Sequence, residues 1–127
     1  MVEIVIENED FLYRRIYRDP WKKYVNPDNT PTSRNFVLRK AKNETSLSVD
    51  IAKLTTPEQA VGDTNKFAIA AIQTLSVREL GLDAIHEPCT IAIHGFENHA
   101  HASIIGMNEE DEIMPALLAR KANVLVP

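Results

Sequence analysis

Residues 67–75 (FAIAAIQTL) are the most restrictive feature of this sequence, because they are apolar at nearly every position. A segment without a polar side must be buried on both faces, and a run of this length fits either a strand or a helix. We favour a strand. A chain of 127 residues has room for one ordinary domain around such a segment.

Shorter apolar segments predict further strands around it. They alternate apolar with polar residues or are rich in branched and aromatic residues, as half-buried strands are. The predicted strands are residues 2–6, 11–17, 36–38, 47–51, 90–94, 100–105 and 124–126. A helix over residues 11–17 stays open, because Leu12 and Ile16 are four positions apart.

A capping box predicts the first helix. Thr56 can cap the helix, Pro57 suits its first turn, and Gln59 can reach back to the cap. Gly62 then ends this helix after barely two turns.

Two later segments predict the remaining helices. Residues 76–79 repeat the capping-box pattern, and Gly81 is placed to end a helix. Residues 108–111 put acids where a helix begins, although the helix can instead begin at Pro115. The prediction is therefore a single compact α+β domain over residues 1–127, with a mixed or mostly antiparallel sheet and two or three short helices.

Composition excludes several classes of protein. The fractions of hydrophobic residues (44%) and charged residues (25%) are those of a globular domain, and no apolar run approaches the roughly 20 residues of a membrane span. The first ten residues are acidic where a signal peptide would be basic. Cys89, the one cysteine, cannot form an internal disulfide. We therefore expect a cytoplasmic protein without membrane contact.

Charge is distributed unevenly along the chain. Residues 11–42 contain nine bases against two acids, whereas the first ten residues carry a net charge of −4 and residues 43–127 a net charge of −7. Six of the eight aromatic residues also lie in residues 11–42. The basic and aromatic third is the strongest compositional indication of a binding surface.

The basic-aromatic residues predict a surface that binds a negatively charged partner. Its predicted members are Arg14, Arg15, Tyr17, Arg18, Trp21, Lys22 and Lys23. An acidic protein surface fits them, and so does single-stranded nucleic acid, because cations neutralise phosphates and flat side chains stack on bases. In the structural alternative, the aromatic rings face the core and the bases face water. Strand alternation would send Tyr13, Arg15 and Tyr17 to one face of residues 11–17.

The histidines suggest a metal site that we do not expect to be filled. All four lie within sixteen residues, and His99 and His101 share one face if residues 100–105 form a strand that extends back to position 99. With His94 or Glu97 as a third ligand, this spacing could hold zinc or iron. Histidines satisfied by hydrogen bonds are commoner, and we expect neither a metal nor a cofactor.

A third arrangement of residues suggests catalysis. Arg14 on an early strand, Ser48 on a later one and His101 downstream look like the Arg–Ser–Glu order of ADP-ribosyltransferases. That similarity implies an arginine that grips a diphosphate and a serine that orients a ring. No Glu-x-Glu or Gln-x-Glu follows in a strand, which departs from that pattern. In the structural alternative, Ser46 and Ser48 point into solvent while Leu47 and Val49 fill the core.

The order of several short landmarks resembles a set of small bacterial proteins of unassigned function. The landmarks are residues 12–14 (LYR), 31–33 (PTS) with Phe36, 47–49 (LSV), 78–82 (RELGL) and 101–106 (HASIIG). The resemblance implies a bacterial source and one fold-sized unit, and it assigns no catalytic residue.

Three hypotheses follow for the function. The first is a small interaction module, one component of a larger bacterial assembly, with the basic-aromatic face on an acidic partner. The second is an enzyme that acts on a nucleotide-like ligand, with Arg14, Ser48 and His101 in one cleft; separations above about 12 Å would exclude it, because small-ligand pockets are only a few hundred cubic ångströms in volume. The third is single-stranded nucleic-acid binding. A homo-oligomer is compatible with each.

Overall fold

One six-stranded sheet organises the part of the chain that the computed structural model describes, which is residues 3–127 apart from the side chains of residues 93 and 94. The strands are β1 (Phe11–Tyr17), β2 (Leu47–Ile51), β3 (Phe67–Gln73), β4 (Asp83–His86), β5 (His101–Ile105) and β6 (Asn123–Leu125). Their order across the sheet is β4-β5-β2-β1-β3-β6, and all neighbours are antiparallel. With several short helices, this is a single compact α+β domain, as predicted.

Short helical segments connect the strands. They are α1 (Trp21–Tyr24), α2 (Pro57–Val61), α3 (Thr74–Glu79), α4 (Ile91–His94) and α5 (Met114–Lys121), with 3₁₀ turns at Ser33–Phe36, Lys40–Lys42 and Ala52–Leu54. Among the described residues, no helix is both long and apolar enough to cross a bilayer.

Most of the apolar run over residues 67–75 forms β3, a strand buried on both faces. Ala68, Ala70 and Ile72 face the main core, while Ile69 and Ala71 face a second apolar cluster formed with α2. The strand lies between β1 and β6. It is apolar at nearly every position because helices or loops cover both sides of the sheet there.

Two strands and one helix coincide with their predictions. β1 and β2 have the predicted bounds, and β1 buries Leu12 and Ile16 on the core side, which settles the choice against a helix there. In α2, the Thr56 hydroxyl accepts the backbone N–H of Gln59 at 3.2 Å, which confirms Thr56 as the predicted cap. Strand β5 also confirms most of residues 100–105.

The predicted strand over residues 2–6 is wrong over its described part, which is not part of the sheet. Backbone groups there bond to side chains instead of to a neighbouring strand. The Ile4 N–H donates to His86 Nδ1 at 2.9 Å, and the Ile6 carbonyl accepts from Arg78 at 2.5 Å. Residues 1 and 2 of this prediction lie outside the described residues.

Three further predictions need correction. Residues 36–38 form no strand, because Phe36 ends a 3₁₀ turn and residues 37 and 38 pair with no strand. Residues 91–94 form one helical turn, α4. α3 begins at Thr74 rather than Ser76, because the Thr74 hydroxyl and backbone N–H both donate to the Asp10 carbonyl. Strand β4 was not predicted at all. Each of these bounds depends on contacts with distant parts of the chain.

Candidate functional site

The site begins where two neighbouring strands separate. β1 and β2 are in register at Leu12 with Ile51 and at Tyr13 with Asp50, and the pairing does not continue beyond them. The side chain of Arg14 occupies the gap, donating from Nη1 to the Ser48 carbonyl at 2.8 Å and from Nε to the Asn35 carbonyl at 2.9 Å. A guanidinium therefore satisfies backbone groups that the missing ladder leaves open.

Arg14 keeps its charge and has hydrogen-bonding capacity left. Burial lowers the pKa of its guanidinium to about 10, so the group stays cationic at neutral pH. A guanidinium has five N–H donors, and within the described residues those of Nη2 have no acceptor. The Glu44 carboxylate raises the pKa of Arg14 by its charge. Its two oxygens already accept hydrogen bonds from Arg39, from Nη2 at 2.8 Å and from Nε at 3.0 Å. Arg14 is thus a partly buried cation with donors left for an anion.

Ser48 and His101 meet on the adjacent strands. β2 and β5 pair Asp50 with His101, so Ser48 is the diagonal neighbour of His101 on the same face of the sheet. The distance from Ser48 Oγ to His101 Nε2 is 3.3 Å. Consecutive hydrogen bonds therefore link Arg14, Ser48 and His101, which lie far within the 12 Å limit set from the sequence.

The other ring nitrogen of His101 fixes its tautomer. Nδ1 lies 2.7 Å from the Glu87 carbonyl, which can only accept, so Nδ1 carries the proton. In the neutral ring, Nε2 is then the acceptor and faces the Ser48 hydroxyl. A hydroxyl, an imidazole that can take its proton and a third group that orients the imidazole form the arrangement of an activated nucleophile.

These residues line one wide groove of about 1540 Å³. It passes over β1, β2 and the segment that leads into β5. Its charged lining residues are Arg14, Arg15, Arg34, Arg39, Glu44, Asp50 and Glu97. Since Glu44 pairs with Arg39, and Asp50 accepts from the Asn98 side chain at 2.9 Å, the carboxylates near Arg14 are already engaged.

Aromatic rings line the groove beyond Arg14. Tyr17 and Phe67 are directly paired across β1 and β3, with ring centroids 5.2 Å apart, and the ring centroid of Tyr24 lies 5.5 Å from that of Tyr17. The Arg15 guanidinium lies over the Phe67 ring at 4.5 Å from its centroid. We call these four side chains the aromatic platform.

The structure divides the predicted basic-aromatic surface. Arg14, Arg15 and Tyr17 line the groove, whereas Arg18 donates to the carbonyls of Phe67 and Pro127 at 3.0 Å and 3.3 Å. The remaining three, Trp21, Lys22 and Lys23, are exposed on α1 and do not line the groove. Six of the seven residues thus form two surfaces, and Arg18 belongs to neither.

The histidines are placed differently from the metal-site prediction. His99 precedes β5 and pairs with Glu97 at 2.8 Å, while His101 faces Ser48. Among the described residues, no group of three or more histidine, cysteine, aspartate or glutamate side chains could hold a metal ion. The side chain of His94, the third candidate ligand, lies outside that description.

Sequence reasoning missed several residues of the site. Asn35 supplies its carbonyl to Arg14 and donates from its side chain to the carbonyls of Tyr24 and Thr32. Asp50 lies two residues from Ser48 on the same face of β2, a period of two that could have identified it. No sequence signal marks Asn35, because its role depends on a backbone carbonyl.

No family model, curated protein or solved structure matches the chain.

Proposed function

We propose that the protein is an enzyme that acts on a nucleotide-like, phosphate-bearing ligand in the groove. The observation that carries this proposal is the convergence of Arg14, Ser48 and His101 from three different strands. Strand pairing alone accounts for neighbouring backbones. It does not account for a partly buried guanidinium with unused donors beside a serine–histidine pair that opens on a large groove.

In this proposal, His101 is the general base and Ser48 the nucleophile. The Ser48 oxygen bonds to the electrophilic atom of the ligand while its proton passes to His101 Nε2. The bond from that atom to the leaving group breaks as His101 gives the proton to the leaving group. A water molecule then attacks the same atom and gives a proton to His101, and the bond to the Ser48 oxygen breaks as that oxygen takes the proton back. The Glu87 carbonyl holds the ring in the required tautomer.

Arg14 binds a phosphate of the ligand. The unused N–H donors of Arg14 lie beside the Ser48 carbonyl. A phosphate bound there would place the neighbouring bond of the ligand near the Ser48 hydroxyl. Contacts between guanidinium and phosphate are charge-assisted and directional. The cytoplasm is where we place this activity, because nucleotide-like ligands fit that compartment and the free thiol of Cys89 agrees with it.

Product analysis tests the proposal. The purified protein is incubated with AMP, ADP, ATP, NAD and ADP-ribose, and products are separated by chromatography. With the substrate that turns over, Ser48→Ala and His101→Gln should each lower the rate about 100-fold or more. Ser46→Ala is the matched control, since Ser46 does not line the groove, and it should leave the rate unchanged. Full activity in folded Ser48→Ala and His101→Gln, or no turnover of any probe, would contradict the proposal.

An acidic protein partner at α1 is a second candidate, favoured by the exposure of Trp21, Lys22 and Lys23 outside the groove. Together they present two cations that complement an acidic surface and one large aromatic ring of the kind enriched at protein interfaces. The double variant Lys22→Glu, Lys23→Glu should lose partners captured from a bacterial lysate. The control Lys40→Glu, Lys42→Glu should retain them, and equal capture by both variants would exclude α1.

A further inference from the structure

A carboxylate lies beside the serine–histidine pair, and the proposed catalysis does not use it. Asp50 is two residues from Ser48 on the same face of β2, and it is paired directly with His101 on β5. Directly paired residues have Cβ atoms roughly 5 Å apart, and two residues along a strand correspond to roughly 7 Å. The three side chains therefore line the groove from one face of the sheet, within the reach of a single sugar ring and its substituents.

A fixed amide orients the Asp50 carboxylate. Asn98 Nδ2 donates to Asp50 Oδ1 at 2.9 Å, and Asn98 Oδ1 accepts the backbone N–H of Ala100 at 3.1 Å. The backbone of Asn98 is held in turn by two hydrogen bonds with the backbone of Cys89, at 2.9 Å and 3.0 Å. One oxygen of the carboxylate is thus engaged, and the direction of the group is set before any ligand binds.

The other oxygen of Asp50 is open to the groove. Among the described residues, Oδ2 accepts no hydrogen bond, and no lysine or arginine forms an ion pair with the carboxylate. No described side chain holds a buried oxygen without a partner, so Oδ2 is accessible, and the groove is what Asp50 lines. The residue opposite Asp50 on β1 is Tyr13 and not a basic residue. A carboxylate without a cation repels a phosphate and accepts hydrogen bonds from hydroxyl groups.

We propose that Asp50 accepts the 2′- and 3′-hydroxyl groups of a ribose, and that the ligand of the groove is a ribonucleotide whose sugar lies beside Ser48 and His101. The phosphate remains the partner of Arg14. Hydrogen bonds to a carboxylate are charge-assisted, so a sugar without these hydroxyls leaves the carboxylate unpaired and binds more weakly. This inference names the sugar of the substrate class and rests on the proposed function.

Calorimetric titration of the full chain with AMP and with 2′,3′-dideoxy-AMP tests the ribose contact. The two probes share the phosphate and the base and differ only in the sugar hydroxyls. The wild type should bind AMP roughly 10-fold or more tightly than the dideoxy probe, the effect of a charge-assisted hydrogen bond. Asp50→Ala should weaken AMP selectively and bring the two affinities within about 3-fold of each other. A role of Asp50 in the fold alone would weaken both probes equally and leave their ratio unchanged.

Asp83→Ala is the matched control. Asp83 lies on β4 on the same face of the sheet, pairs with Arg78 and does not line the groove, so this variant should keep the wild-type ratio. The ratio in the wild type is a readout that does not depend on the folding of a variant. Equal affinities of the wild type for the two probes, no measurable binding of AMP, or a wild-type ratio in Asp50→Ala would overturn the ribose contact.

Binding and turnover separate the two proposals. A preference for AMP that depends on Asp50, together with an active Ser48→Ala variant, supports the ribose contact and contradicts the proposed catalysis. Turnover that needs Ser48 and His101, combined with equal affinities for the two probes, supports the catalysis and overturns the ribose contact.

Discussion

The two edges of β1 behave differently. Towards β3, the strand is in register at all seven residues from Phe11 to Tyr17, whereas towards β2 the pairing does not extend beyond Tyr13. The complete ladder buries apolar residues on both faces of β3, and the interrupted one leaves a gap that Arg14 fills. The comparison shows that a cationic side chain can enter a sheet where the ladder ends, because the backbone carbonyls there still need donors.

The largest expected effect is a loss of stability at the edge of β1 that is fully paired with β3. Ile72 is fully buried in β3 opposite Leu12, so Ile72→Ala should lower the free energy of unfolding by about 2–5 kcal/mol. Chemical denaturation measures this loss. Gln73→Ala, at the partly exposed end of the strand, is the control and should change stability by less than about 0.5 kcal/mol. A loss below 1 kcal/mol for Ile72→Ala would mean that this edge is not the stabilising one.

At the edge where β1 and β2 separate, we expect a smaller loss of stability than for Ile72→Ala and a loss of ligand binding. Arg14→Gln removes the donors to the carbonyls of Asn35 and Ser48 and should cost about 1–3 kcal/mol in the free energy of unfolding. It should also abolish measurable binding of pyrophosphate by calorimetry.

Arg18→Gln sharpens this prediction as a matched control. Arg18 also donates to two backbone carbonyls, those of Phe67 and Pro127, but it does not line the groove. It should lose similar stability and keep its affinity for pyrophosphate. Equal losses of affinity in both variants would remove the distinction between the two arginines.

The smallest effect concerns the pH dependence of stability. The side-chain hydrogen bonds from Arg39 lower the pKa of Glu44 below its ordinary value of 4.5. A lowered folded-state pKa contributes stability above the unfolded value, and this contribution is lost as pH falls through the folded value. Because Arg39 is half exposed, the contribution should stay below about 1 kcal/mol.

Glu44→Gln tests this contribution by thermal unfolding at several pH values. The difference in melting temperature from the wild type should be present at pH 7 and should shrink as the pH falls below 4.5, the ordinary pKa of the carboxyl group. A difference at pH 3 as large as the one at pH 7 would show that Glu44 acts through packing, and not through its charge.

Strands with a clear pattern could be predicted from the sequence, and elements fixed by distant partners could not. Residues 11–17 and 47–51 alternate side chains between a buried and an exposed face, and each forms the predicted strand. Residues 91–94 are equally apolar but form a helical turn, α4. Three or four apolar residues fit either conformation, so only tertiary contacts decide between them.

The candidate site divides in the same way. Arg14, Ser48 and His101 were selected together from the sequence as candidate catalytic residues, and hydrogen bonds connect them in the structure. Their spacing along the chain, 34 and 53 residues, contains no distance, and the strand order that makes them neighbours is a property of the whole sheet. The carbonyls of Asn35 and Glu87, which orient Arg14 and His101, are backbone atoms that no sequence pattern marks.

The sequence by itself determined the fold class, the two-sided burial of β3 and the alternation of β1, because each follows from how apolar side chains repeat along a short segment. Only the tertiary structure decided that β2 lies between β1 and β5 and leaves β1 after Tyr13. Local patterns fix which face a residue takes, whereas the order of strands depends on the packing of the whole chain. The groove exists because of that order.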